Sequence, residues 1–205
     1  MAVLSTDDFN RGDGGLGANW TTVTGFDNPT IVSQIVEPSV VNTGNAAIRT
    51  AESYPNDQYA KLRVVSLSSV TRAIGISLRG TTTEHTQYDC LAIGPFGTTT
   101  ELSIRRYNAG TMTQLATTGA TVTLASNDTV EARIVGTVIS MYINGSGSPT
   151  LSYDDSAAPI ESGKPGLQVF LLSGPNSDSR VDDWEAGDFG TPITGLGRKF
   201  ILRPQ

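Results

Sequence analysis

The chain has 205 residues, of which 38% are hydrophobic and 17% are charged, and it contains 22 glycines. This composition excludes a disordered chain, and the length suits one large all-β domain without a second domain. The net charge of −6 makes the surface repel phosphate backbones and anionic lipid, so we expect no binding to nucleic acid or to a membrane.

Short runs of alternating apolar and polar residues, separated by Gly, Asn, Asp and Pro, follow one another along the chain. Residues 57–67 have the period of an antiparallel strand with one face in the core and the other in solvent. The segments 71–79, 88–93 and 101–107 repeat this pattern, which predicts that they are consecutive antiparallel neighbours.

The clearest hairpin lies between residues 130 and 143. Apolar residues alternate on both arms, and Gly136-Thr137 between them predicts a tight turn. Asn144-Gly145 follows the second arm and tolerates the positive φ angles of another turn. Residues 167–172 and 180–186 are the last predicted core strands.

The two ends of this strand-rich region look like partners. The segment Asp7-Asp8-Phe9-Asn10-Arg11 opens the chain, and Arg180-Val181-Asp182-Asp183-Trp184-Glu185 closes its last predicted strand. We expect the terminal strands to lie side by side in a closed β-sandwich. Trp20 and Trp184, which lie in or near these segments, are predicted core residues, as is the single cysteine, Cys90.

Residues 190–205 form a separate unit, because the strand pattern stops after Asp188. We therefore predict a domain over residues 1–189 and an extended C-terminal docking arm over residues 190–205. The arm has no acid, and its predicted docking residues are basic or apolar: Arg198, Lys199, Phe200, Ile201, Leu202 and Arg203. These residues either fold back over a sheet edge or insert into another subunit.

Several short segments in a fixed order cover roughly residues 5–189. They are Asp8-Phe9-Asn10-Arg11, Gly14-Gly15-Leu16-Gly17, Trp20, Asp57-Gln58-Tyr59-Ala60, Ala132-Arg133, Tyr142-Ile143-Asn144-Gly145, Gly163-Lys164-Pro165-Gly166-Leu167 and Asp182-Asp183-Trp184-Glu185-Ala186-Gly187-Asp188. Together they resemble the concanavalin A-like lectin/glucanase superfamily in its laminin-G-like branch, of the kind found in bacteriophage structural proteins. The resemblance implies an all-β, two-sheet antiparallel jelly roll. It does not choose among lectins, carbohydrate-binding modules, glycoside hydrolases and assembly domains.

No catalytic residue is predicted, and we expect the protein not to be an enzyme. A glucanase on this scaffold needs paired carboxylates, usually in a Glu-x-Asp-x-x-Glu arrangement, and the chain lacks that pattern. Glu101 and Glu131 are strand-borne acids that we interpret as solvated surface residues. His85, the only histidine, lies in a polar loop and gives Cys90 no catalytic base.

A structural calcium ion is the one metal that the sequence suggests, and no cofactor is predicted to be required. If the termini are adjacent, Asp182 and Asp183 approach Asp7 or Asp8, which makes Asp8 and Asp183 the candidate ligands. The alternative is that these aspartates cap turns or form ion pairs with Arg11 and Arg180.

Exposed aromatic rings beside amides and acids are what a carbohydrate site would use. Five tyrosines are possible stacking platforms: Tyr59, Tyr88, Tyr107, Tyr142 and Tyr153. Each of these tyrosines is more often a residue on a strand surface or at the rim of the core.

The first functional hypothesis is a non-catalytic virion structural protein of a bacteriophage, either a capsid decoration protein or a tail-associated one. The N-terminus has no signal-peptide pattern, although lectin-like domains are usually extracellular, and a particle assembled in the host cytoplasm resolves that mismatch. Its partners would be the major capsid protein or tail proteins, bound through sheet edges and the docking arm, and a homotrimer is one oligomer that such a virion protein could form.

The second hypothesis is a carbohydrate-binding module of a secreted or cell-surface bacterial protein. Its partner would be a surface glycan, and residues 190–205 would then be the remnant of a linker.

Overall fold

The structure is a computed structural model that describes residues 1–68, 72–95 and 97–189, with only the backbone at position 98. The predicted docking arm, including Arg198, Lys199, Phe200, Ile201, Leu202 and Arg203, lies outside the described residues. Its role stays a prediction.

Sixteen β-strands and one short 3-10 helix, Asn176–Asp178, account for the regular structure of the described residues. The strands are β1 (Ala2–Asp7), β2 (Gly14–Gly15), β3 (Trp20–Thr22), β4 (Thr30–Val32), β5 (Ile35–Glu37), β6 (Thr43–Arg49), β7 (Gln58–Leu67), β8 (Arg72–Gly80), β9 (Gln87–Ile93), β10 (Gly97–Asn108), β11 (Thr111–Leu124), β12 (Thr129–Val135), β13 (Val138–Ile143), β14 (Leu151–Asp154), β15 (Lys164–Leu171) and β16 (Ser179–Asp188). No helix in the described part of the chain is long and apolar enough to cross a membrane.

The described strands form two antiparallel sheets. The first sheet has the order β14-β13-β12-β7-β16-β5-β4-β2, and β1 also pairs with β16. The second sheet has the order β11-β10-β9-β8-β15-β6-β3. The predicted two-sheet antiparallel sandwich is therefore confirmed, as is the adjacency of the segments that became β8, β9 and β10.

The core lies between the two sheets, where alternate residues of facing strands meet. On β7, Ala60, Leu62 and Val64 are fully buried, and they belong to the same apolar cluster as Ile74 and Ile76 of β8. The period of two along each strand places these side chains on one face, so burial of that face stabilises both sheets at once. Cys90 also lies in this cluster, and burial raises the pKa of its thiol.

The two ends of the described chain meet as predicted. β1 pairs with β16, with Asp7 opposite Trp184. The rings of Trp20 and Trp184 pack edge to face at a centroid distance of 4.7 Å, and the Trp20 indole donates a hydrogen bond to Asp7 Oδ2 at 2.8 Å. Both tryptophans are buried, so this contact ties the first strand, the third strand and the last strand to one core.

The predicted hairpin is confirmed as β12 and β13, whose turn has Gly136 at a φ of 58°. The sequence did not predict β11, the edge strand of the second sheet. Most of its residues are exposed or half-buried, so its sequence carries no apolar alternation. The β10–β11 turn uses Ala109 and Gly110, both with positive φ.

Replacing Trp184 with Ala should lower the free energy of unfolding by about 3–5 kcal/mol, because the large ring is removed from a buried aromatic contact. Val135→Ala, at an exposed position, should change it by less than about 0.5 kcal/mol. Urea unfolding followed by circular dichroism measures both. A loss at Trp184 no larger than the loss at Val135 would show that the terminal strands do not depend on this contact.

Candidate functional site

A cavity of about 320 Å³ opens on the second sheet, on the face that points away from the core. We call it the aromatic cleft, and it is defined by six of its lining residues: Phe26, His85, Arg105, Tyr107, Gln168 and Phe170. The strand residues among them alternate with core residues such as Ile104 and Val169, which fixes them on the outer face.

Small residues form the floor of the aromatic cleft. A side chain at Gly44 would collide with the ring of Phe26. Gly75, which is beside the cleft and opposite Gln168, has no room for a side chain either, because its Cβ would lie 2.7 Å from the carbonyl oxygen of Cys90. Ala73 of β8 also lines the cleft and lies across the sheet from Gly44, with Phe170 of β15 between them. The cavity therefore exists because these strand positions carry almost no side-chain volume.

Three rings from separate segments make one wall of the aromatic cleft. His85 stacks on Tyr107 at a centroid distance of 3.8 Å with an interplanar angle of 23°, and Phe26 meets the edge of His85 at 4.3 Å. Thr24 donates from both its backbone nitrogen and its hydroxyl to the carbonyl oxygen of Thr82, at 3.0 and 2.8 Å. These bonds hold the loop that carries Phe26 against the loop that carries His85.

Unpaired polar atoms concentrate at this face. Among the described residues, five buried side-chain nitrogen and oxygen atoms have no hydrogen-bond partner, and all but Arg72 Nε belong to the outer face of the second sheet or to His85 in the loop beside it. The four are His85 Nε2, Gln87 Oε1, Asp89 Oδ2 and Gln168 Oε1. Unpaired buried polar atoms are costly for stability, so their accumulation in one place is a sign of a ligand site.

A buried polar network lies beside the cleft, under Arg105 and Tyr107. Gln87 donates to Asp89 Oδ1 at 2.6 Å and to the Ser77 hydroxyl at 3.1 Å. In the sheet, Asp89 is opposite Arg105 and Gln87 is opposite Tyr107. Burial raises the pKa of Asp89 to about 7 and lowers the pKa of His85 to about 4. At pH 6, therefore, both groups are mainly neutral.

The predicted calcium ligands Asp8 and Asp183 line one cavity of about 460 Å³ beside the terminal strands. Burial alone would raise the pKa of the neighbouring Asp7, but hydrogen bonds from Arg11 and Trp20 outweigh it and lower that pKa. Within the described ranges, no three His, Cys, Asp or Glu residues are placed to hold a metal ion. Asp183 forms an ion pair with Arg63, and Asp8 accepts hydrogen bonds from the backbone and side chain of Asn10. The calcium site stays a prediction.

The alternative prediction, that aspartates at the terminal strands form ion pairs, is confirmed, but one of the two predicted arginine partners is wrong. Arg11 contacts Asp7 at 2.7 Å. Arg63, not Arg180, contacts Asp182 and Asp183, at 2.5 and 2.6 Å. The reason is register, because β7 places Arg63 directly opposite Asp182. Arg180 binds Glu37 of the short strand β5 instead.

The five candidate tyrosines divide by location. Tyr107 lines the aromatic cleft, whereas Tyr88 is in the core and donates to Asp155 Oδ2 at 2.8 Å. Tyr59 is buried and donates to Glu185 at 2.8 Å. Tyr142 is half-buried on the first sheet, and Tyr153 is packed beside the core.

Glu131, which we interpreted as a solvated acid, is only 7% exposed. It accepts a 2.6 Å hydrogen bond from Arg133, and its neighbours across the strands are Lys61 and Tyr142. These long side chains cover it, so the prediction of a solvated residue was wrong. Glu101 is half-buried at its position on β10.

Neither a protein-family model nor a curated protein sequence matches this chain. Solved structures match its fold at low sequence identity. The carbohydrate-binding module CBM66 from Bacillus subtilis has 12% identity and a TM-score of 0.59, with 81% of this chain and 92% of that chain covered. The catalytic domain of an endo-1,3-beta-glucanase (laminarinase) from Thermotoga petrophila has 6% identity and a TM-score of 0.55, with 90% and 96% covered.

A mutant of the GH43 protein BlXynB from Bacillus licheniformis has 14% identity and a TM-score of 0.58, with 90% of this chain but only 39% of that chain covered. The chain therefore has the concanavalin A-like lectin/glucanase fold, as the sequence resemblance predicted. The bacteriophage part of that resemblance stays a prediction.

The buried acid gives a test by pH. The pKa of Asp89 is raised from 3.8 to about 7, so its contribution to stability is greatest below pH 4 and is lost as the pH rises through 7. In Asp89→Asn, the side chain at position 89 is neutral at every pH of this test. We expect the wild type to lose about 3 kcal/mol relative to Asp89→Asn between pH 5 and pH 8, most of it below pH 7.

Urea unfolding at the two pH values measures this difference, with Glu161→Gln as a control at an exposed acid. If wild type and Asp89→Asn had the same pH dependence, Asp89 would not be the buried group described above.

Proposed function

We propose that this protein is a non-catalytic carbohydrate-binding module whose binding site is the aromatic cleft. The observation that carries the proposal is the coincidence, in one cavity, of a stacked aromatic wall with buried polar atoms that lack partners. The fold shared with CBM66 from Bacillus subtilis is compatible with this function.

A sugar ring has the surface that this cleft would complement. One face of the ring presents C–H groups, which pack on an aromatic face, and its edge presents hydroxyl groups. Tyr107 and His85 supply the rings, and Gln168 Oε1 supplies an acceptor for a hydroxyl group. A site built around unpaired acceptors discriminates strongly against ligands without donors, because the acceptors then stay unsatisfied.

Binding without hydrolysis is part of the proposal. Hydrolysis of a glycosidic bond uses two carboxyl groups placed on either side of that bond. The described residues that line the aromatic cleft include neither Asp nor Glu. Asp89, the acid next to it, is fully buried.

The proposed function implies a secreted or cell-surface location and a surface glycan as partner. The virion hypothesis depends on residues 190–205, which lie outside the described residues, and the structural comparisons lend it no support. Capsid and tail partners, and the homotrimer, remain sequence-based predictions.

Tyr107→Ala should weaken saccharide binding by about tenfold or more, because it removes a stacking ring from the wall. Tyr142→Ala is the matched control, since Tyr142 is half-buried on the first sheet. A glycan array identifies a ligand, and isothermal titration calorimetry then measures the affinity of each folded variant.

Gln168→Ala removes the unpaired Oε1 acceptor from the same cleft and should also weaken binding without loss of stability. Saccharide binding that survives both Tyr107→Ala and Gln168→Ala but is lost in Tyr142→Ala would place the site on the other sheet and contradict the proposal.

A further inference from the structure

The arginines of the protein follow one pattern with a single exception. The described residues contain nine arginines, and eight of them form an ion pair with a carboxylate: Arg11, Arg49, Arg63, Arg72, Arg79, Arg106, Arg133 and Arg180. Arg105, which lines the aromatic cleft, is the one without such a pair in this part of the chain. An arginine without a carboxylate partner is unusual in a protein whose net charge is −6.

The neighbours of Arg105 do not neutralise it. Its Nε is 3.4 Å from the Ser103 hydroxyl, which is a weak contact with an uncharged group. Asp89 is the acid opposite it on β9, and burial raises the pKa of that carboxyl to about 7. The two rings beside Arg105 carry no charge that could neutralise it. Burial keeps His85 neutral and raises the pKa of Tyr107.

From this geometry we propose that the aromatic cleft selects sugars that carry an oxyanion, with Arg105 as the residue that binds it. The inference rests on the proposed function and names the ligand class of the same site. A guanidinium group binds a carboxylate or a sulfate through two parallel N–H bonds, which a neutral hydroxyl group cannot match.

The position of Arg105 suits this role. It is half-buried in a cavity with an aromatic wall, where charge-assisted hydrogen bonds are stronger than in open solvent. Gln168 lines the same cavity, is 6% exposed and has an unpaired Oε1, so a hydroxyl group of the same sugar could donate to it. One ligand would then satisfy both the cation and the acceptor.

The test compares each neutral oligosaccharide with its uronic acid counterpart and with its sulfate ester, at pH 6, by isothermal titration calorimetry. We expect one acidic form to bind about tenfold or more tightly than the neutral form, and Arg105→Gln to abolish that preference. The carboxylate and sulfate arms show which oxyanion the protein takes.

Arg133→Gln is the matched control, because it removes the same charge from the outer face of the first sheet, and it should keep the preference. Arg105→Lys retains the charge without the two parallel bonds, so it should reduce the preference without abolishing it.

Equal binding of neutral and acidic forms by the wild type, or a preference that survives Arg105→Gln, would overturn this inference and leave the proposed function in place. Binding of no saccharide in either form would overturn the proposed function, and the inference with it.

Discussion

The site depends on one constraint, which is the close approach of backbone and side chains along the middle of the second sheet. Gly44 allows the ring of Phe26 to lie directly on β6, and Gly75 has no room for a side chain against β9. Larger residues here would fill the cavity or force the strands apart. Both the cavity and its aromatic wall thus depend on the glycines of the second sheet.

Charged side chains lie in two regions that have different roles. At the terminal strands, Asp7 and Asp183 are neutralised by arginines, and those ion pairs accompany the contact between Trp20 and Trp184 that joins the ends. At the aromatic cleft, the cation of Arg105 has no carboxylate partner among the described residues, and burial raises the pKa of Asp89, the acid opposite it on β9. The first region contributes to folding, and the second has the features expected of a ligand site.

The sequence predicted most of the fold because the signal of an antiparallel strand is local. The alternation over residues 57–67 and the turn at Gly136 each act within a few residues, and both were confirmed. The cleft was not predicted, because Phe26, His85 and Tyr107 come from three distant segments and meet only through strand pairing. His85 lies in a loop, as the sequence predicts, but nothing in its local sequence shows that its ring stacks on Tyr107.

The most direct test of the aromatic cleft as the binding site is a map of amide chemical shifts in the labelled protein during titration with a saccharide that binds. If the saccharide binds in the aromatic cleft, the largest changes will fall on β9, β10, β15 and the loop that carries His85. Changes confined to the first sheet, or to the cavity beside the terminal strands, would contradict it.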